Sequence, residues 1–201
     1  MNLTLVPVND ESDILPVYRG TAVGDLLAYH NLGAPHRRHT EAELLIGICM
    51  DHRLQLRIPP NFAYMLRCAG ANLGMLEFDV PFAIAVGGVR SVCLIGHDGC
   101  RMVGVASKRE AFVSGLVDNV GWDRHRAEEH FARHASRYGF QDVVEFVWCE
   151  AKRLRDTYAG ITVAPLVYSP GHRSLCQIAD SRKSIATVHG TVEVEGGDRR
   201  Q

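Results

Sequence analysis

Leu44-Leu45-Ile46-Gly47-Ile48-Cys49 is a run of six residues without a charged or amide side chain, and it stops abruptly at Met50-Asp51-His52-Arg53. A short continuous apolar run that ends at polar residues suits a strand buried on both faces, the kind found in parallel sheets. Working outward, Ala63-Tyr64-Met65-Leu66-Arg67-Cys68 reads as a second strand and Ser91-Val92-Cys93-Leu94-Ile95-Gly96 as a third. Residues 161–168 form a fourth; the turn Ser169-Pro170-Gly171-His172 then leads to a short final strand over 174–178. Residues 76–86 are apolar and long enough for a crossover helix, and helical patterns fill 105–116, 122–138 and 142–158. Strand–helix–strand alternation predicts an α/β fold: a mostly parallel central sheet of about four strands, a short antiparallel edge strand, and flanking helices.

The 201 residues fit one large domain or a smaller one with extensions. At that size a chain buries roughly 70% of its unfolded surface and needs no disulfides to fold. Apolar residues make up 46% and charged residues 22%, and the net charge is −1. Acids and bases are mixed along the chain, so no basic stripe points to nucleic acid. The longest apolar run, 80–96, is broken by Gly87-Gly88 and Arg90, which excludes a membrane span there. The start, Met1-Asn2-Leu3-Thr4, has neither a basic segment nor a long apolar core, so no secretory signal is expected. Six cysteines in a chain of this length without such a signal read as free thiols in a reducing compartment, and a cytoplasmic location is expected.

Three zones follow. Residues 1–40 form a leader rich in Asn, Pro, Gly and His, with one amphipathic patch at Val23-Gly24-Asp25-Leu26-Leu27-Ala28-Tyr29. Residues 41–178 form the α/β domain. Residues 179–201 have few large apolar side chains and are expected to be a tail, mobile at its end.

Two segments carry chemistry. Cys49-Met50-Asp51-His52-Arg53 follows the first strand of the domain, and His97-Asp98-Gly99-Cys100 follows the third. In open α/β sheets ligand sites lie beyond the carboxyl ends of the strands, so the two segments are predicted to meet. Zinc takes thiolate and imidazole in a tetrahedral site, and the two residues between His97 and Cys100 let both close on one ion, with Cys49 as third ligand. The fourth position is then left for water, whose pKa on such a metal falls to roughly 7. Asp51 lies close enough to accept that water's proton in a hydrogen bond, and Arg53 is spaced to hold the carboxylate ionised.

Taken together, Cys-x-Asp-x-Arg followed about fifty residues later by His-x-x-Cys resembles the β-class carbonic anhydrase family. Arg67-Cys68-Ala69-Gly70-Ala71-Asn72 is similar to the family's Arg-Asn-Ala-Gly segment, Gly96-His97-Asp98-Gly99-Cys100 to its Gly-His-x-x-Cys motif, and Leu166-Val167-Tyr168 with Pro170-Gly171 to its final hairpin. The chain departs from the pattern at His52, Cys68 and Arg101. The resemblance implies a zinc lyase that interconverts carbon dioxide and bicarbonate by zinc-hydroxide attack, with Asp51 and Arg53 as catalytic dyad. It also implies a homodimer or dimer of dimers, in which a leader such as 1–40 acts as a dimerisation arm wrapping the partner. Two alternatives stay open: hydrolysis of carbon disulfide or carbonyl sulfide on the same zinc, and a catalytically silent zinc-binding scaffold.

Each sharp reading has a bland counterpart. Buried Cys and His also serve packing alone, and Asp51–Arg53 also reads as a structural ion pair. His52 is a candidate proton shuttle, but a lone surface histidine is the commoner case. His125, His130 and His134 have helical spacing on a segment polar nearly all round, which reads as a solvated face.

Overall fold

A computed structural model describes residues 2–181. Its centre is a pair of strands, β2 (Leu44–Cys49) and β4 (Ser91–His97), both buried along their whole length. They pair in parallel, from Leu44 with Ser91 to Ile48 with Ile95. Strand β3 (Ala63–Cys68) adds in parallel to the far side of β2, and β5 (Thr162–Ser169) in parallel to β4. Strand β6 (Ser174–Asp180) turns back antiparallel on β5, and β1 (Leu3–Pro7) adds antiparallel to β6. The sheet therefore has six strands in the order β1-β6-β5-β4-β2-β3.

The α/β reading holds, and the strands at 44–49 and 63–68 keep their expected bounds. The edge differs. The antiparallel strand near the C-terminus is interior, because β1 covers it. β1 lies in the segment read as a leader. Its five residues end at Pro7, a residue tolerated at a sheet edge where one face of the ladder needs no donor. The patch expected to meet a second chain is also used internally. Leu26 and Leu27 on α1 (Ala22–Leu27) have no exposed surface, and Tyr29 is 5% exposed, in a core shared with Leu44, Ile46, Phe62 and Tyr168. The expected tail begins as strand, since Ala179 and Asp180 pair with Thr4 and Leu3; residues 182–201 lie outside the described residues.

Side chains of β2 alternate between two cores. Leu44, Ile46 and Ile48 join α1 on one face, while Leu45 faces Leu94, Val147, Ala151 and Leu154 on the other. The second core is closed by α5 (Val143–Thr157), whose N-terminus is capped by Asp142 accepting from the Glu145 amide at 2.8 Å. The remaining helices are α2 (Asp79–Ala85), α3 (Arg109–Val120) and α4 (Arg124–Tyr138). Helix α2 is shorter than the apolar stretch 76–86, and a separate 3-10 turn, Leu73–Met75, precedes it. Helices α3 and α4 pack on each other beyond the end of β3.

Gly96 sets how closely α5 approaches the site. A Cβ there would lie 2.6 Å from Val143 Cγ1 and 2.7 Å from Val147 Cγ2. Both neighbours are β-branched and held to one rotamer on a helix, so neither can swing aside. Gly96→Ala is expected to cost about 1–3 kcal/mol through overpacking. Urea unfolding checks this: the midpoint should fall while the slope stays unchanged.

Candidate metal centre

Cys49 is the last residue of β2 and His97 the last of β4. The ladder between these strands runs to Ile48 with Ile95, so both residues leave the sheet at the same end and within a residue or two of each other. After His97 the chain turns through Gly99, whose φ of +67° lies in the left-handed region that a residue with a Cβ enters only at a cost. That turn returns Cys100 toward His97. One ligand atom from each of Cys49, His97 and Cys100 lies within 4.8 Å of the other two. Ligand atoms about 2.0–2.3 Å from one tetrahedral ion sit roughly 3.5 Å apart, so the cluster is of the right size. Among the described residues no fourth Cys, His, Asp or Glu joins it.

The three residues are 5%, 1% and 6% exposed in sequence order, so the donors are held in a nearly dry pocket. His97 Nδ1 lies 3.0 Å from the Asp98 carbonyl oxygen. A carbonyl only accepts, so Nδ1 carries the proton and Nε2 presents its lone pair. That Nε2 is buried with the Cys49 sulfur beside it, but it makes no hydrogen bond of good geometry. A buried acceptor without such a bond is costly unless something electrophilic meets it. With two sulfurs beside it, a thiophilic cation is the group that fits.

The sulfurs show the same need. A hydrogen bond from the Cys100 thiol, with help from His97 and the Asp51 and Gly70 amides, holds Cys49 well below the usual thiol range against the opposing effect of burial. Cys100 is pushed up by that same contact with Cys49 and by burial. The pair thus shares one proton, and a cation in the cluster would allow both to ionise. Burial alone pulls His97 down, but its contacts with Cys49 and the Asp98 carbonyl outweigh this and raise it.

Asp51 stands at the mouth beside the cluster. Arg53 Nε donates to Oδ1 at 2.9 Å and Nη2 to Oδ2 at 2.7 Å, and the Arg53 amide adds a third bond to Oδ1 at 3.0 Å. These bonds hold the Asp51 carboxyl well below the usual carboxylate range. Arg53 Nη2 also donates to the Gly99 carbonyl at 3.2 Å, which ties the dyad to the turn that carries Cys100. The mouth is a cavity of about 480 Å³ lined by the dyad together with Met50, His52, Ala69, Arg101 and Met102, besides Cys49, Gly99 and Cys100.

Arg67 is the contributor that sequence reasoning left without a role. Its guanidinium donates to the Cys49 carbonyl at 3.3 Å, the Asp51 carbonyl at 3.4 Å and the Leu54 carbonyl at 2.8 Å. It is a clamp on the loop between β2 and β3. The signal was an arginine inside an apolar strand next to a loop whose backbone acceptors need donors. His52 is 93% exposed in its side chain, and its Nδ1 lies 3.9 Å from Asp51 Oδ1, beyond hydrogen-bond reach. Arg101 is exposed at the rim. Cys68 is pushed up to about 11 by burial and by the charge on Cys49. The His130 and His134 rings lie 4.6 Å apart and tilted, and His125 pairs with Glu129 at 3.4 Å; among the described residues neither set forms a metal cluster with a third ligand. A larger cavity of about 780 Å³, bounded by Leu15–Tyr18 segments and β5, holds none of these groups.

No protein-family model matches the sequence, and no curated protein matches it. Solved structures do. A β-carbonic anhydrase of Trichomonas vaginalis superposes with a TM-score of 0.58 at 16% identity, over 73% of this chain and 88% of that one. A carbonic anhydrase from Glaciozyma antarctica gives a TM-score of 0.53 at 20% identity, over 81% and 94%. A carbon disulfide hydrolase gives 0.51 at 15% identity, over 87% and 94%. The chain has the β-carbonic anhydrase fold.

The donor set makes a direct prediction. A cluster of this kind suits zinc, so freshly purified protein is expected to carry about one per chain, and Cys49→Ser or His97→Ala to abolish binding, because each removes one of the three donors that the described residues bring together. Elemental analysis reads the result; Cys68→Ser should leave the metal content unchanged.

Proposed function

We propose that this chain is a zinc-dependent carbonic anhydrase, a lyase that interconverts carbon dioxide and bicarbonate. The observation that carries the reading is the unbonded Nε2 of buried His97, set among Cys49 and Cys100 and beside a carboxylate already locked by an arginine. Cys49 Sγ, His97 Nε2 and Cys100 Sγ would hold the zinc. Zinc at such a site acts as a Lewis acid that makes water nucleophilic at neutral pH.

The chain's own residues do the rest. Asp51 is ionised at any working pH, so it accepts a hydrogen bond and orients the nucleophile rather than keeping the proton. Arg53 fixes that carboxylate by a two-pronged contact, which would hold it away from a bound zinc. Arg67 holds the carbonyls of the loop on which Asp51 rides. Arg53 and Arg101 give the rim a positive character suited to an anionic product. The proton leaves through the open mouth to solvent.

The same residues would serve carbon disulfide or carbonyl sulfide, and the likeness to a carbon disulfide hydrolase supports that second reading. Stopped-flow hydration of carbon dioxide and consumption of carbon disulfide, run on one zinc-loaded sample, separate the two. All six cysteines are free, which suits a reducing compartment such as the cytoplasm.

The chain is proposed to act as a homodimer. β3 leaves one edge of the sheet open, with Tyr64 45% and Met65 38% exposed. Next to it, on and around α2, Phe78 is 76%, Phe82 49% and Val86 70% exposed. An apolar surface flanking a free strand edge is the kind of patch that proteins cover by association. Light scattering at micromolar concentration should therefore give at least the dimer mass, and Phe78→Glu with Phe82→Glu should shift it toward monomer.

Arg53→Ala is expected to lower turnover by a factor of tens to hundreds, on the order of 2–4 kcal/mol for one lost orienting contact. The freed Asp51 carboxylate then competes for the metal. Asp51→Asn should lose activity while keeping its zinc, because the ligands are intact but the acceptor is half replaced by a donor. Zinc content and hydration rate, measured together on both variants, check the dyad: near-full activity with zinc bound in either one makes it structural.

A further inference from the structure

A second cavity, of about 390 Å³, lies behind the metal centre between α3, α4 and the end of β3. Its size falls in the range typical of small-molecule sites. None of its lining residues is an Asp, Glu, Lys or Arg. Its inner wall includes Cys68, Ala69 and Met102, and Ala69 and Met102 also line the metal mouth. The two spaces are therefore separated by little more than these side chains. The outer rim carries Phe112, 39% exposed, with His130 stacked on it at 6.2 Å and nearly coplanar.

The two spaces differ in charge. The metal mouth carries Asp51, His52, Arg53 and Arg101, whereas the rear cavity is walled mainly by apolar side chains such as Leu76, Val105, Phe131 and Ala135, with His130, His134 and Tyr138 as its titratable lining besides Cys68. A neutral linear molecule such as carbon dioxide or carbon disulfide has no net dipole and loses little on leaving water. An anion placed in the rear cavity would find no Lys or Arg to replace its hydration, only His130, His134 and Tyr138 among the lining residues. The walls thus sort the two sides of the reaction by charge. Met102 is suited to stand between them. Its backbone is anchored, with its carbonyl accepting from the Phe140 amide at 3.4 Å and the next residue, Val103, bridged to Phe140. Its side chain is unbranched, with three rotatable bonds, so it can move aside without moving the loop.

We propose that the cavity between α3 and α4 binds the small, neutral, apolar substrate and feeds it to the metal past Met102 and Ala69, while the anionic product leaves through the mouth at Arg53 and Arg101. The inference rests on the activity proposed above, and it adds a route and a binding site that the metal ligands do not define.

The test fills the cavity from its far wall. Ala135 lines it from α4, away from the ligands and the dyad. Xenon, which settles in dry apolar cavities, is applied under pressure to crystals of the zinc-loaded full chain and located by its anomalous signal. Stopped-flow rates and inhibition by azide, an anionic probe of the metal mouth, are measured on the same protein. Xenon should occupy the rear cavity of the wild type and be absent from Ala135→Trp. In that variant kcat/KM should fall severalfold for hydration and dehydration alike, because the reaction's equilibrium constant fixes their ratio, while zinc content and azide inhibition stay at wild-type values. Ala135→Leu should lie between the two on both readouts, and it decides the matter if Ala135→Trp fails to fold. An empty cavity in xenon-treated wild type overturns the proposal. So does a filled variant that has lost xenon yet keeps wild-type kcat/KM. Xenon bound in a wild type that turns over neither carbon dioxide nor carbon disulfide overturns the activity and the feeding role, and supports the apolar site alone.

Discussion

The parallel pairing of β2 with β4 is the constraint on which the rest of the molecule depends. Neither strand contains Asp, Glu, Lys or Arg, and both are buried on both faces, so their register is set by packing against two cores. That register brings Cys49 and His97 out of the sheet at one end. A slip of one residue would send Leu45 to the face of Ile46 and turn Cys49 away from the cluster. Gly96 belongs to the same constraint, since it lets α5 lie against β4 one residue before the buried imidazole.

Two guanidinium groups carry this order from the sheet into the loops. Arg67, from the neighbouring strand, holds three backbone acceptors between Cys49 and Leu54. Arg53 then joins the Asp51 carboxylate to the Gly99 carbonyl, so the loops after β2 and β4 are linked across the mouth. A planar fork with several fixed donors suits this task in a way that a lysine ammonium does not. The outcome is a site whose acceptors are already oriented and whose unbonded buried imidazole nitrogen, beside two thiols, could serve a metal.

The N-terminal segment changes how the outer surface is read. β1 pairs with β6 and α1 joins the first core within their own chain, so Val23, Leu26 and Leu27 are used in folding, while Leu5 and Val17 stay exposed. A group of exposed apolar side chains, Tyr64, Met65, Phe78, Phe82 and Val86, lies at the opposite edge, on and around β3 and α2. That edge leads directly, through Cys68 and Ala69, to the wall of the metal mouth and of the rear cavity. A second chain covering β3 would therefore rest close to the site.

The sequence by itself determined the central strands, because continuous apolar runs bounded by polar residues have few other solutions in a chain this size. It also picked out Cys49, His97, Cys100, Asp51 and Arg53, because the spacing of soft donors and of an acid–base pair is a local property. It did not disclose β1, whose five residues are too short and too exposed to carry an apolar signal, with the pattern half-buried, exposed, exposed, half-buried, exposed. Leu26, Leu27 and Tyr29 were expected to meet a second chain but enter the first core of their own chain, since an amphipathic patch states that a surface will be covered and not by what. Arg67 as a clamp, Nε2 of His97 as the orphaned donor, and the cavity behind Met102 depend on residues far apart in the chain. Only tertiary packing brings them together, because hydrogen bonds and cavities are properties of distance in space and not of order along the chain.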